Sequence, residues 1–387
     1  MANNNKHTGR NVPALRFPEF SGEWLTYSLG EIADVTKLAG YEFTKYVIYE
    51  DEGSVIALRG LNCKNGTLIL DDVKYIDHSD LSKLTRSKLY IGDILYTYVG
   101  TVGEVAIITE NDKYYLAPNV SRIRVEQGFD SQLIKHLLSS NRFYKQIVLP
   151  LIATSSQPAL SMENIRKFQI NVPNTIQEQK HIATILTLLE ERINTQSKII
   201  EELKTLRSAL RYKLLHEMMV ERMAKLGELC RITTGKLDAN AMVEGGSYPF
   251  FTCAEQVYEI DRYAFDTEAL LVSGNGANLG YIHYYCGKFN AYQRTYVLSD
   301  FSEDIQYLRQ YLEAYLSKRI ESEKNTGNTP YIVLGTLADM EIKLPRLPEQ
   351  QRIAHDLSVL SQKIENETHM FELFIQEKKT LLCKMFI

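Results

Sequence analysis

Short apolar runs and long helical ones alternate along this chain, and the change between them occurs twice. Runs at 54–61, 66–76, 93–108 and 114–125, separated by Gly, Asp and Asn turn signals, predict strands. Ahead of them, Pro13 and Pro18 disfavour helix before Leu29. From Asp130 to about Val148 the period becomes helical, with Leu133, Leu137, Leu138 and Tyr144 on one face. A Thr- and Ser-rich loop (ATSSQPALS), a short helix and the strand FQINVP follow, and Pro173 ends that strand. A long helix is predicted from about Gln177. Its Ile182, Leu186, Leu189, Ile193, Gln196, Ile200, Leu203, Arg207, Leu210 and Leu214 alternate spacings of four and three, the seam of a coiled coil.

The chain ends on a second edition of this helix. Glu349–Phe386 matches Glu178–Leu215 at an offset of 171, with ten of 38 positions identical. Its seam is Ile353, Leu357, Leu360, Ile364, Glu367, Phe371, Phe374, Lys378, Leu381 and Met385. The polar interruptions correspond, Gln196 with Glu367 and Arg207 with Lys378. A parallel pairing in register would oppose Arg207 to Lys378, whereas an antiparallel one sets Arg207 against Glu367 and Gln196 against Lys378. The charges therefore predict an antiparallel intramolecular coiled coil whose polar layers fix register. The competing reading is two unrelated amphipathic helices, each packed on its own domain.

What precedes each helix is repeated as well. LGEI at Leu29 returns as LGEL at Leu226, Gly103 as Gly280, Asp130 as Asp304 and Pro158 as Pro330, with offsets that fall steadily from 197 to 172. The first copy carries about twenty extra residues before its glycine hairpin. The expected fold is α+β: two mixed α/β domains joined by two long antiparallel helices, duplicated about a pseudo-twofold axis. Its parts are an N-terminal extension (1–24), a first domain (25–172), a central spacer helix (173–218), a second domain (219–345) and a C-terminal spacer helix (346–387).

Length and composition add bounds. A chain of 387 residues with 44% hydrophobic content suits two or three soluble domains. No apolar run approaches the roughly 18 residues of a membrane span, and the start has no apolar signal core, so a cytoplasmic location is expected. Five cysteines without a CxxC indicate neither a disulfide framework nor a zinc knuckle. Net charge is −4, and residues 219–345 hold 12 basic and 17 acidic groups against 19 and 19 in 1–172. Phosphate attraction dominates non-specific nucleic-acid binding, so such a role must use local patches or a partner's positive charge.

Catalytic signatures are missing. SGNGANLG at 273–280 imitates a dinucleotide loop, but a strand-like segment follows where a helix is needed, so a β-hairpin is expected. There is no HExxH, no GxSxG elbow, no Pro-Pro dipeptide of an amino-methyltransferase motif, and no phosphate loop, since Gly235-Lys236 precedes Leu237. No catalytic, cofactor-binding or metal-ligating residue is assigned. What remains are polar loops at matched places in the two domains. The first offers Lys37, Tyr41, Arg59, Asn62, Lys64, Tyr98, Thr101, Asn119, Arg122, Ser155, Ser156 and Gln157. The second offers Lys236, Ser273, Asn275, Asn278, Gln293, Arg294, Asn325, Asn328 and Thr329. Asn, Gln, Arg and Lys read base edges and Ser, Thr and Tyr hold phosphates. Taken singly, each of these residue types is more often a turn or surface residue than a reader, and the warrant is their recurrence at equivalent points of the two domains.

With LGEI and LGEL opening the two domains, NVPNTIQEQKHIATIL and KLPRLPEQQRIAHDL entering the helices, and LRSALRYKLL and KKTLLCKMF ending them, nearly the whole chain resembles the DNA specificity subunits of type I restriction-modification systems. The resemblance implies two target recognition domains, each reading half of a split, asymmetric site in double-stranded DNA. It implies partners too: two modification subunits that use S-adenosylmethionine to methylate adenine N6, and two restriction subunits that use ATP and Mg. It assigns no catalysis and no bound cofactor to this chain. The helices would act as a ruler that fixes the unread gap between half-sites. The alternatives are a self-contained methyltransferase or nuclease, and a structural coiled-coil adaptor.

Overall fold

The computed structural model describes residues 11–64, 66–152, 158–323 and 331–386. It divides into two compact units, Met1–Gln196 with Met370–Ile387, and Ser197–His369. Each unit contains one globular module together with half of each long helix.

The LGE motif explains how a module starts. In the first unit the strand Leu25–Ser28 pairs antiparallel with Gln169–Val172 and passes directly into the turn of helix Leu29–Ile32. Leu29 is fully buried and its N–H donates to the Phe168 carbonyl (2.9 Å). Gly30 lies against Arg166, where a Cβ would come within 3.1 Å, and Glu31 accepts the Ser28 N–H at 2.6 Å. The second unit repeats each contact: Arg222–Lys225 pairs with Glu341–Leu344, the Leu226 N–H donates to Met340 (2.9 Å), Gly227 lies against Ala338, and Glu228 accepts the Lys225 N–H (3.1 Å). In both copies the leucine fills the core, the glycine permits close approach of the backbone behind it, and the glutamate caps the helix start.

From there the modules build sheets of the same order. The first runs Ala33–Lys37, Val120–Val125, Ile94–Thr97, Val105–Ile107, all antiparallel. In the second, Arg231–Thr234, Thr295–Ser299, Phe265–Ser273 and Ile282–Ala291 take those places, and Tyr248–Phe251 then joins parallel to the last of them, with Tyr258–Ile260 at the edge. In the first module Ile56–Leu58 likewise pairs parallel with Tyr114–Leu116 and antiparallel with Lys74–Tyr75, as a separate small sheet over a second apolar core that includes Leu58, Ile76 and Leu89. The glycine segment at 273–280 is a hairpin connection between two strands, as its flanking pattern predicts.

One helical expectation is altered. The segment 130–148 is helix Ser131–Leu138, then a new start at Asn141–Phe143 that runs into a π-turn over Tyr144–Val148. Ser140 causes the break: its hydroxyl accepts the Phe143 N–H at 3.2 Å and caps the second piece. The second unit has no such pair of serines, and its helix Ile305–Ser322 is continuous.

The long helices are Ile176–Glu217 and Leu347–Met385. All twenty seam positions are buried or half-buried. Inside the first unit, Ile182 and Leu186 share a core with Met385 and Phe386. Inside the second, Leu215 shares one with Ile353 and Leu357. In each unit the early part of one helix therefore meets the late part of the other, which is antiparallel packing.

The polar contacts of that seam set the local register. Lys378 Nζ lies 2.7 Å from Glu190 Oε1, and Arg207 Nη1 donates to Ser361 Oγ at 3.3 Å. Each of these partners stands six residues before the one that charge matching of the helices alone selects, Gln196 and Glu367. Glu190 is held by Lys135 of the first module as well, a partner no comparison of the two helices could reveal. Gln196 is buried, and Glu367 also engages Lys363 on its own helix.

A glutamine ties each module to its helix. Gln179 Oε1 accepts the Asp130 N–H (2.9 Å) while Nε2 donates to the Pro173 carbonyl (2.9 Å). Gln350 does the same with Asp304 (3.2 Å) and Pro345 (2.9 Å). Both aspartates cap the next helix, Asp130 through Leu133 and Asp304 through Tyr307. The preceding glutamates differ. Glu178 takes a two-pronged contact from Arg16 and the indole N–H of Trp24, whereas Glu349 pairs with Arg352 on its own helix.

Candidate nucleic-acid interface

The matched polar loops meet at one end of each sheet, on the same backbone frame. In the first unit Thr97 is the last residue paired with Val120, and beyond it the Tyr98 N–H donates to the Asn119 carbonyl (3.1 Å). The Tyr98 carbonyl in turn accepts the Leu160 N–H (2.8 Å), and Val99 bridges to Ala159. In the second unit Ser273 is the last residue paired with Thr295. The Gly274 N–H donates to the Arg294 carbonyl (2.9 Å), its carbonyl accepts the Ile332 N–H (2.9 Å), and Asn275 bridges to Tyr331. The glycine turns agree too: Gly103 (φ +97°) and Gly280 (φ +83°) donate to Thr97 and Ser273 and face Tyr144 and Ile320 of the next helix.

In the first unit Arg59, Lys64, Thr101 and Asn119 line one cavity of about 570 Å³. Its other walls include Tyr49, Leu61, Val99, Pro118 and Cys63. Leu61 stays 50% exposed between Gly60 and Asn62; a search for polar loop residues does not find it, because its side chain is apolar. Lys37, at the exposed end of its strand, sets its ammonium over the Tyr98 ring at 5.3 Å, a cation–π contact. Burial raises the Tyr98 hydroxyl above its ordinary range. Burial, with Glu104 second, pushes the Cys63 thiol up to about 12, so the sulfur on this wall stays protonated. Tyr41 is exposed and is not among these lining residues.

Two candidates of the first module hold the fold instead. Asn62 is fully buried: its Oδ1 accepts the Arg59 N–H (2.9 Å), and its amide donates to the Ile69 and Asp72 carbonyls, both at 2.8 Å. With every polar atom engaged, it holds the loop and cannot reach a base. Arg122 is buried on its strand, donates to the Arg86 carbonyl (2.9 Å) and pairs with Asp34, and burial lowers its pKa. Arg59 is itself tied to Asp72 at 2.7 Å.

In the second unit Ser273 is fully buried and its hydroxyl has no partner among the described residues. Asn275 is half-buried beside its bridge to Tyr331, and Asn278 donates to the Cys253 carbonyl (3.3 Å). Gln293 is exposed and donates to Asp238 (2.8 Å), while Lys236 and Arg294 are exposed. The Gln293 N–H donates to Leu237 (2.9 Å), and that bond brings Lys236 to the same end of the sheet. Ser155, Ser156, Gln157, Asn325, Asn328 and Thr329 lie outside the described residues. The carboxylates that engage these side chains, Asp34, Asp72 and Asp238, carry no signal in the sequence, because none is close along the chain to the cation or amide it binds.

Among the described residues no group of His, Cys, Asp and Glu is arranged to hold a metal ion. No helix among them is long and apolar enough to cross a membrane.

A family model, Type I restriction modification DNA specificity domain, matches residues 21–205 and 220–371. The chain is similar to the EcoDI specificity subunit of a type I restriction enzyme from Escherichia coli, 46% identical over 143 residues that make up 37% of this chain and 31% of that one. It is similar also to a putative MjaX specificity subunit from Methanocaldococcus jannaschii, 25% identical over 170 residues, 40% of this chain and 38% of that one. The matches thus span 31% and 38% of those relatives' length. Among solved structures, the type I S subunit from M. genitalium shares its fold, with a TM-score of 0.71 at 16% identity over 97% of this chain and 99% of that one. A chain from a study of type I R-M complex assembly gives 0.53 at 17% identity, covering 94% and 97%.

Proposed function

The chain belongs to the type I restriction-modification DNA specificity family, and from that premise we propose that it is the non-catalytic subunit that reads a bipartite, asymmetric site in double-stranded DNA. The observation that carries this reading is the repeated loop frame. Both modules fix the same backbone positions with the same hydrogen bonds, yet one offers Asn119 and the other Arg294. A duplicated scaffold with unlike side chains at its reading end suits a site of two unlike halves.

In this proposal the chain also scaffolds two modification subunits and two restriction subunits in the cytoplasm. S-adenosylmethionine and ATP with Mg would be bound by those partners and not by this chain. The partners would also supply much of the positive charge, because the second module carries 12 basic and 17 acidic groups.

The test is co-expression with a type I modification subunit, followed by genome-wide mapping of methylated adenines. Methylation confined to one split motif with two different halves is expected. Methylation without a shared motif, or none from an assembled complex, would refute the reading. Replacing residues 25–172 by another recognition domain should change one half and leave the other.

A further inference from the structure

We propose that Asn119 and Arg294 each specify one base: Asn119 an adenine in the half-site of the first module, Arg294 a guanine in the half-site of the second, both read from the major groove. The assignment rests on the DNA-reading role proposed above and adds the letters.

Three observations converge on these two residues. They occupy the same point of the duplicated frame, immediately before the first paired residue of the inner strand, Val120 or Thr295. Each has its carbonyl held, by the Tyr98 and Gly274 N–H groups respectively, so the side chain leaves a backbone that is already fixed. Both side chains are exposed.

Several of their polar neighbours are engaged elsewhere. Arg59 and Arg122 are tied to Asp72 and Asp34, Asn62 is saturated by backbone groups, Gln293 is on Asp238, and Asn278 donates to Cys253. Among the described residues, neither the Asn119 amide nor the Arg294 guanidinium makes a hydrogen bond or ion pair within the chain. Asn119 also holds φ at +70°, a left-handed conformation that asparagine tolerates and most side chains do not. Asparagine at this point therefore meets a backbone demand and offers an adjacent donor and acceptor in one step.

The chemistry then selects the base. An amide presents a donor and an acceptor side by side and matches N6 and N7 of adenine, whereas a guanidinium presents two parallel donors and matches O6 and N7 of guanine. Phosphate contacts would carry no letter.

The test uses the full chain with its modification subunit. It reads the methylated motif, together with binding to DNA libraries randomised one base pair at a time. Arg294→Gln should lose the guanine preference at one position of one half-site, on the order of ten- to a hundred-fold, and leave every other position unchanged. Asn119→Gly keeps the left-handed backbone and removes the amide, and should relax a single adenine in the other half-site by a similar factor. Arg294→Lys keeps the charge without the fork and should relax the same position as Arg294→Gln, so the assignment remains testable if one variant does not fold. Motifs identical to wild type overturn it, as does relaxation at several positions at once. A variant that melts like wild type but binds no library member also overturns it. A wild-type complex with no split motif would instead sink the DNA-reading proposal itself.

Discussion

Where its module helix meets the two long helices, the first unit buries an ion triad, and the second unit solves the same problem with its charges rearranged. In the first, Glu190 lies between Lys135 and Lys378, with side-chain exposures of 8%, 2% and 20%. The corresponding residues of the second unit are Ser361, Arg309 and Arg207, counted from the Asp304 cap and from Gln350 and Gln179. The carboxylate has moved to Glu313 on the module helix, where it pairs with Arg309 (2.9 Å) and Arg211 (2.7 Å), and Arg207 is left with the Ser361 hydroxyl (3.3 Å). The duplicated fold has kept a cation five residues after the cap and let its counter-charge change helix. A buried cation needs a carboxylate within reach, but the fold does not dictate which element supplies it.

The largest expected difference comes from removing the two carboxylates. Burial alone would raise the pKa of Glu190, but Lys135 and Lys378 more than offset that and hold it below the ordinary carboxylate range. Glu190→Ala leaves two buried ammonium groups facing each other and should cost about 3–5 kcal/mol. Glu313→Ala leaves two arginines whose module-helix member, Arg309, is 33% exposed where Lys135 is 2%, and should cost about 1–2 kcal/mol. The single tryptophan, Trp24, is buried in the first unit, so its fluorescence in a urea titration reports that unit. A Trp24→Phe, Tyr315→Trp chain moves the probe into the second unit, since the tyrosines are divided 11 to 13 between the units and give no separate signal. Equal losses for the two substitutions would contradict the contrast between the sites.

A smaller gap is expected at the two glycine turns. An alanine Cβ at Gly103 would come within 2.8 Å of two Tyr144 ring atoms, and at Gly280 within 2.8 Å of the terminal methyl of Ile320. Both positions have positive φ, which costs a non-glycine residue roughly 1–2 kcal/mol. A ring yields less than a methyl at the end of a flexible chain. Gly103→Ala should therefore cost about 2–3 kcal/mol and Gly280→Ala about 1–2 kcal/mol, measured by the same two probes. A larger loss at Gly280 would mean that the helix after it is the more rigid of the two.

These pairs also show what the sequence could and could not reveal. Leu29, Gly30 and Glu31, Gln179 and Gln350, and all twenty seam positions were legible, because their roles are local or periodic and each occurs twice. The glycine hairpins were legible for the same reason. Asn62 and Arg122 were not: a polar residue in a loop or on a strand has one spelling whether it faces solvent or satisfies backbone at its own turn. Glu190 was not legible either. Its two lysines lie 55 and 188 residues away, and one of them belongs to a module that a comparison of the two helices never consults. Recurrence located the matched loop ends of both sheets, while singling out Asn119 and Arg294 as the proposed readers required knowing which side chains were already engaged.

The last difference between the units depends on pH and falls on the first unit alone. His136, six residues after the Asp130 cap, is fully buried beside the triad, with Nε2 3.0 Å from the Thr187 hydroxyl. Burial first and the Lys135 charge second lower its pKa to about 3. The second unit has Gln310 at the equivalent place, which does not titrate. An unfolded histidine takes up a proton near pH 6.5, whereas the folded one does not until about pH 3. Between those values the unfolded state binds more protons, so stability is complete above pH 6.5 and declines as pH falls. At pH 5.5 the first unit should have lost about 1.4 kcal/mol relative to pH 7.5 from this group. His136→Gln copies the second unit and should remove that part of the slope in a urea titration followed by Trp24. An unchanged slope would show that the imidazole is charged in the folded chain and that Glu190, not burial, governs it.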